Sequence, residues 1–141
     1  MTETSPPTKT RTLSLKAYPL WALCVAWAGV IFWFSSKPGS QIPGQFAEIG
    51  HLGEYFVFGV LLYAALRASG RREAAAATAL IVASLYGMTD EFHQHFVVMR
   101  TPDVVDWGVD TVGAACGVLA SRAAAALARR ARTTSPAAER P

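Results

Sequence analysis

Charge is scarce in this chain. Asp, Glu, Lys and Arg make up 16% of its 141 residues, where a soluble domain carries about 25%. Cysteine is nearly absent: Cys24 and Cys116 are the two, each inside an apolar stretch and neither with a CxxC neighbour. That argues against a disulfide framework or a thiolate metal knot and leaves two small packing residues. No glycine-rich loop stands ready to cradle a phosphate, and no nucleic-acid module is present. The net charge of +3 therefore speaks for membrane topology rather than for a nucleic-acid partner. An A-x-A-like cleavage site is missing too, since SSKPGS follows the first apolar stretch. That stretch also exceeds the roughly 7–15 apolar residues of a signal peptide, so it reads as a retained helix.

Apolar sequence is what the chain has in plenty: 52% of residues are hydrophobic, and they come in long blocks. Tyr18 to Phe34, YPLWALCVAWAGVIFWF, holds no charge. The second block runs from near Gly50 to Leu66 and is apolar after Tyr55. The third is Ala74 to Met88. The fourth runs from Trp107 to about Ala128, broken only by Asp110 and Arg122. A helix crossing the bilayer core takes roughly 20 apolar residues, with about 17 the lower end. The first block meets this alone and the others with their flanks. The pattern predicts an all-α fold, a four-helix transmembrane bundle over residues 18–128. The polar, proline-bearing ends, residues 1–17 and 129–141, are expected to be disordered tails.

Basic residues sort by side. With four spans, the N-terminal tail, the middle turn and the C-terminal end share one face of the membrane. Of the 13 Lys and Arg, Lys9, Arg11 and Lys16 fall in the first and Arg67, Arg71 and Arg72 in the second. Arg122, Arg129, Arg130, Arg132 and Arg140 fall in the third. Only Lys37 and Arg100 lie opposite. The positive-inside rule then places both termini in the cytoplasm, in a multi-pass protein of the cytoplasmic (inner) membrane.

Acids and imidazoles sort the other way. Glu48, Glu54, Asp90, Glu91, Asp103, Asp106 and Asp110 fall at the outer ends of helices two, three and four or in the loops there. His51, His93 and His95 join them. Acids contribute little to orientation, so their gathering needs another cause. In HLGEYFVFG, residues His51, Glu54, Tyr55 and Phe58 share one helical face. In YGMTDEFHQHF, Tyr86, Asp90 and Gln94 share a face, and Glu91 and His95 a neighbouring one. Asp106 and Asp110 lie one turn apart. Asp110 and Arg122 are separated by about 18 Å of helix, against a hydrocarbon core of about 30 Å. Arg122 can snorkel to water; the short Asp110 cannot, and is expected to turn into the bundle. The polar groups of three spans are thus predicted to converge in a shared hollow at the outer face, and ionisable residues within a membrane mark a functional site by default.

Plainer readings stand beside this one. Glu48 and Asp103 suit solvated acids past helix ends, His93 and His95 suit interfacial side chains, and Tyr55 and Tyr86 suit an aromatic belt. Asp110 would also serve as interhelical glue, and Gly113-x-x-x-Gly117 reads as a packing face.

HLGEYFVFGVL and YGMTDEFHQHFVVMRTPDVVDWGVDTVGAACG together resemble the VanZ-like family of small bacterial membrane proteins. The family pattern has a histidine and a tyrosine opening helix two, often with a glutamate before the tyrosine. Then come D-E-x-x-Q, an arginine shortly after, and an Asp followed by Asn or Asp before a glycine-rich helix. The matching positions are His51, Glu54 and Tyr55; Asp90, Glu91 and Gln94; Arg100; and Asp106 and Asp110. FSSKP, Phe34 to Pro38, is similar to the serine-containing end of the family's first helix and brings in Ser35. The likeness spans roughly Trp21 to Ser121. Two positions depart from it: VVMR, Val97 to Arg100, stands where the family commonly has V-P-G-R, and Asp110 stands where many relatives carry Asn. The resemblance implies a cell-envelope role, since the founding member is associated with lowered susceptibility to the glycopeptide teicoplanin. It supplies no reaction.

Three functions stand open on these residues. In the first, the hollow binds a lipid-linked or glycopeptide-related envelope ligand, with Arg100, Tyr86 and Ser35 as contacts; a guanidinium can take a phosphate or carboxylate bidentately. In the second, the protein is a membrane enzyme acting on a phosphorylated or lipid-linked envelope substrate. His51, Glu54, Tyr55, Glu91 and Gln94 are then the catalytic candidates, because carboxylates in a low-dielectric bundle suit acid–base work. Asp90, Asp106 and Asp110 are candidate ligands of a divalent cation, their hard oxygens suiting Mg²⁺, Ca²⁺ or Mn²⁺. In the third, the groups form a structural network or an ion path. The alanine-rich inner halves of the helices, poor in ionisable groups, weigh against the path.

Overall fold

The computed structural model describes residues 15, 17–41 and 44–134. Among these residues there are four long helices and no strand. They are α1 (Ala17–Ser35), α2 (Gly44–Ala68), α3 (Ala75–Gln94) and α4 (Val104–Thr134), with one short helical turn at Gly39–Gln41. The all-α, four-helix architecture follows the four apolar blocks. Three of the helices are long and apolar enough to cross a membrane: α1, α2 from Glu48 to Ala68, and α4 to Thr133. α3 is not among them, because its last turns carry Asp90, Glu91, His93 and Gln94.

α4 runs six residues past the boundary expected at Ala128. The segment ARRAR is built from strong helix formers, and it extends the helix where a disordered tail was expected. The rest of that tail, residues 135–141, and residues 1–14 and 16 of the N-terminal one lie outside the described residues.

α2 and α4 pack backbone against backbone. A Cβ on Gly59 would run into the Ala114 carbonyl, one on Gly113 into that of Leu52, and one on Gly117 into that of Phe56. Gly113-x-x-x-Gly117 is therefore a close-packing face, as its spacing suggests. The remaining core is assembled around α2 from Tyr55, Phe58, Leu62 and Leu66, with Cys24 and Ile31 from α1 and Val118 from α4.

α3 is inside-out by the standard of a soluble helix. Ala75, Ala79, Ala83 and Gly87 line its buried face at steps of four, and Asp90, Glu91 and Gln94 carry that face onward. Ile81, Leu85, Met88 and Phe92 point outward and are exposed. Leu23, Val25, Phe32 and Trp33 do the same on α1. Apolar surface of this extent marks a membrane-facing exterior.

The connections are specified locally. At the end of α2, Gly70 takes φ 81°. Its N–H donates to the Arg67 carbonyl while Arg71 N–H donates to that of Leu66, the paired bonds of a Schellman cap. Between α3 and α4, Met99 has φ 58°, in the place that V-P-G-R fills with glycine. This turn docks on the α1–α2 connection: Gly39 N–H donates to the Val98 carbonyl at 3.2 Å, and a Cβ on Gly39 would collide with the Met99 carbonyl. Asp103 caps α4, its Oδ1 accepting Val105 N–H at 2.8 Å, the role expected of an Asp at that position. It is more than a solvated acid.

Candidate functional site

The helix ends joined by these outer connections hold the polar residues. On α2, His51 and Tyr55 are buried one turn apart and Glu54 is half-buried. Asp110 on α4 is fully buried and shares a 2.9 Å hydrogen bond through Oδ1 with His51 Nδ1. Gly87 on α3 leaves the room this needs: a Cβ there would lie 3.1 Å from Asp110 Oδ2 and 3.3 Å from Trp107 Cδ1. Asp110 Oδ2 and Tyr55 OH are both buried with no hydrogen-bond partner.

A second set of bonds ties α1, α3 and the α4 cap together. Ser35 Oγ donates to Asp90 Oδ1 at 2.6 Å. Gln94 Nε2 reaches both Asp90 Oδ2, at 3.5 Å, and Glu91 Oε1, at 3.3 Å. Glu91 Oε2 accepts the Asp103 N–H at 2.8 Å. Each of the two buried acids of α3 is thus held by two donors, as buried carboxylates must be.

Of the residues expected at the site, His51, Tyr55, Asp90, Glu91, Gln94, Asp110 and Ser35 are buried, and Asp106 is half-buried beside them. Three stand differently. Tyr86 donates its hydroxyl to the Ala28 carbonyl on α1 at 2.7 Å, with its ring against Tyr55 and Phe58. Among the described residues Arg100 forms an ion pair with none of the acids; its Nε donates to the Lys37 carbonyl at 3.3 Å. Glu54 meets α1 through its backbone, its carbonyl accepting Trp27 Nε1 at 2.9 Å.

Other residues join the site without a signal in the spacing. Gly87 is one, and a glycine inside a helical run is the only hint of it. His93 is another: its Nε2 lies 3.1 Å from Ser36 Oγ and its ring 4.3 Å from Phe32. Trp107 anchors α4 to α3 by donating to the Ser84 carbonyl at 3.0 Å. His95 remains exposed, with its ring against Phe96.

Chemically the cluster is acid-rich and stands ready for a cation or a hydrogen-bonding ligand. His51, Glu91 and Asp106, from three different helices, present ligand atoms that all lie within 4.8 Å of one another. A hollow of about 140 Å³ opens next to Glu91, walled by Met88, Pro102 and Trp107.

The model of the VanZ/LLP1 family matches residues 20–126, which takes in α2, α3, most of α1 and α4, and every site residue named above. No curated protein and no solved structure matches the chain. On the family match, over well more than half of its length, and on its long apolar helices, the chain is a membrane protein belonging to the VanZ/LLP1 family.

Proposed function

We propose that the polar cluster is an outward-facing binding site for a cell-envelope ligand, lipid-linked or glycopeptide-related, in a multi-pass protein of the cytoplasmic membrane with both termini inside. The carrying observation is the pair of buried polar atoms, Tyr55 OH and Asp110 Oδ2, that no group among the described residues satisfies. Each such atom costs about 1–3 kcal/mol, and a purely structural network would close its own bonds. The hollow beside Glu91 gives an apolar flank to a polar headgroup. Arg100, with Nε on a backbone carbonyl, keeps its terminal nitrogens for an anion. The segregation of arginine toward the other end supports the orientation.

The test is a titration of the purified protein with teicoplanin and, separately, with a lipid-linked cell-wall precursor. Saturable binding that Arg100→Ala and Glu91→Gln abolish, with thermal unfolding close to wild type, is the expected result. Absence of saturable binding by the wild type, with stability lost in both variants, would reduce the cluster to a structural network.

A second reading has its own support, the convergence of His51, Glu91 and Asp106. It makes the protein an enzyme using acid–base or divalent-metal chemistry on a phosphorylated or lipid-linked envelope substrate. Asp110 engages Nδ1 of His51, leaving Nε2 as the free nitrogen, the carboxylate–imidazole arrangement that orients metal-binding histidines. The candidate ligands thereby shift from Asp90, Asp106 and Asp110 to His51, Glu91 and Asp106. Among the described residues it is these three whose ligand atoms lie within 4.8 Å of one another. A bound divalent cation would supply Lewis-acid polarisation of a phosphoryl oxygen. Mn²⁺, Zn²⁺, Mg²⁺ and Ca²⁺ are compared by thermal shift; a rise that Asp106→Asn removes supports this reading, and four ions without effect on the wild type end it.

A further inference from the structure

At the opposite end of the bundle, four arginines line one cavity of about 510 Å³. Arg67 comes from the end of α2, Arg72 from the α2–α3 turn, and Arg122 and Arg129 from one face of α4, two turns apart. Alanines floor the space between them, so no side chain fills it. Glu73 is the one carboxylate on the lining, which leaves an excess of three positive charges. Among the described residues none of the four arginines is in an ion pair. Arg67 is pre-positioned, its Nη1 donating to Tyr63 OH at 3.1 Å and its guanidinium carbon 5.6 Å from that ring.

A second, independent feature points to an anion in the same place. α3 begins here with Ala74 at its N-cap, and no side chain caps it. Glu73 and Ala76, on either side of that cap, both line the cavity. A helix of 20 residues thus begins at the cavity edge and brings the positive end of its dipole to the arginines. The positive-inside tendency accounts for arginine at this face of the membrane. It does not account for four of them converging on one hollow together with a helix start that no side chain caps.

We propose that this cavity is a binding site for a phosphate-bearing anion, held by bidentate guanidinium contacts and by the α3 amides. The phosphate of an anionic lipid headgroup and free inorganic phosphate share this chemistry, and basic pockets between membrane helices are where headgroups bind. The site is separate from the polar cluster and does not depend on what that cluster does.

The full chain is placed in nanodiscs of phosphatidylcholine alone, of phosphatidylcholine with phosphatidylglycerol, and of phosphatidylcholine in millimolar inorganic phosphate, and its Tm is measured in each. With a lipid headgroup as occupant, phosphatidylglycerol raises the wild-type Tm by about 5–10 °C. The Arg72→Gln/Arg122→Gln variant loses that rise while matching the wild type in phosphatidylcholine alone. The same pattern with inorganic phosphate only would assign a free phosphate. Arg71→Gln/Arg132→Gln removes equal charge outside the cavity and keeps the rise. The proposal is overturned by a rise that survives Arg72→Gln/Arg122→Gln, by one that the outside variant loses equally, or by no rise in any medium. Should the cavity variant fail to fold, Arg72→Lys/Arg122→Lys replaces it in the same comparison, keeping the charge while losing the bidentate fork.

Discussion

His51 on α2 and Asp110 on α4 meet at 2.9 Å, and among the described residues neither has another carboxylate or imidazole partner within bonding distance. Removing His51 leaves a fully buried carboxylate without its one side-chain donor. His51→Ala should therefore cost about 3–5 kcal/mol, and His51→Ala/Asp110→Ala less than the two single changes summed. The check is a double-mutant cycle from chemical unfolding in detergent. A coupling below about 0.5 kcal/mol would show that the two residues do not act as a unit.

Gly87 and Gly53 are both helical glycines, yet alanine should act oppositely at the two. At Gly87 the new methyl would sit 3.1 Å from Asp110 Oδ2 and 3.3 Å from Trp107, and overpacking of this kind costs about 1–3 kcal/mol. At Gly53 nothing lies within 4 Å, and the gain in helix propensity is up to about 1 kcal/mol. Thermal unfolding of the two variants side by side tests the contrast. A neutral Gly87→Ala would mean that α3 and α4 do not approach this closely.

Met99→Gly should stabilise the protein. A non-glycine residue at φ 58° bears a left-handed backbone penalty of about 1–2 kcal/mol, and the exposed Met99 side chain gives little packing in return. Part of the gain is offset by the greater freedom of glycine in the unfolded chain. A net rise of about 0.5–1 kcal/mol is expected by denaturant titration; a loss would show that the turn does not hold Met99 left-handed.

Periodicity carried much of this site. His51, Tyr55 and Phe58 share a buried face of α2 because steps of three and four put them there. The inward turn of Asp110 followed from a length, the short reach from Arg122 against the thickness of a bilayer. Pairing between helices was not legible in the same way. That Ser35 meets Asp90, or that the Asp103 amide meets Glu91, depends on helix rotation and vertical register, which spacing within one helix does not encode. Tyr86 shows the limit. It is one turn from Asp90 on the same face, yet its long ring carries the hydroxyl across to α1. α3 is the helix whose crossing is least legible, because its apolar block and its acids occupy a single helix of 20 residues.

Biogenesis is constrained by the way α3 is built. Its outer side, Ile81, Leu85, Met88 and Phe92, is compatible with acyl chains, but Asp90 and Glu91, in its last turns, weigh against entry. During synthesis α2 is already present, whereas the Asp103 amide that holds Glu91 and the helix it caps are made afterwards. We expect α3 to enter the lipid as the second arm of a hairpin with α2. Asp90 takes its bonds from Ser35 and Gln94, which are made before α4, so the segment translated after α3 adds the outstanding bond, the one to Glu91.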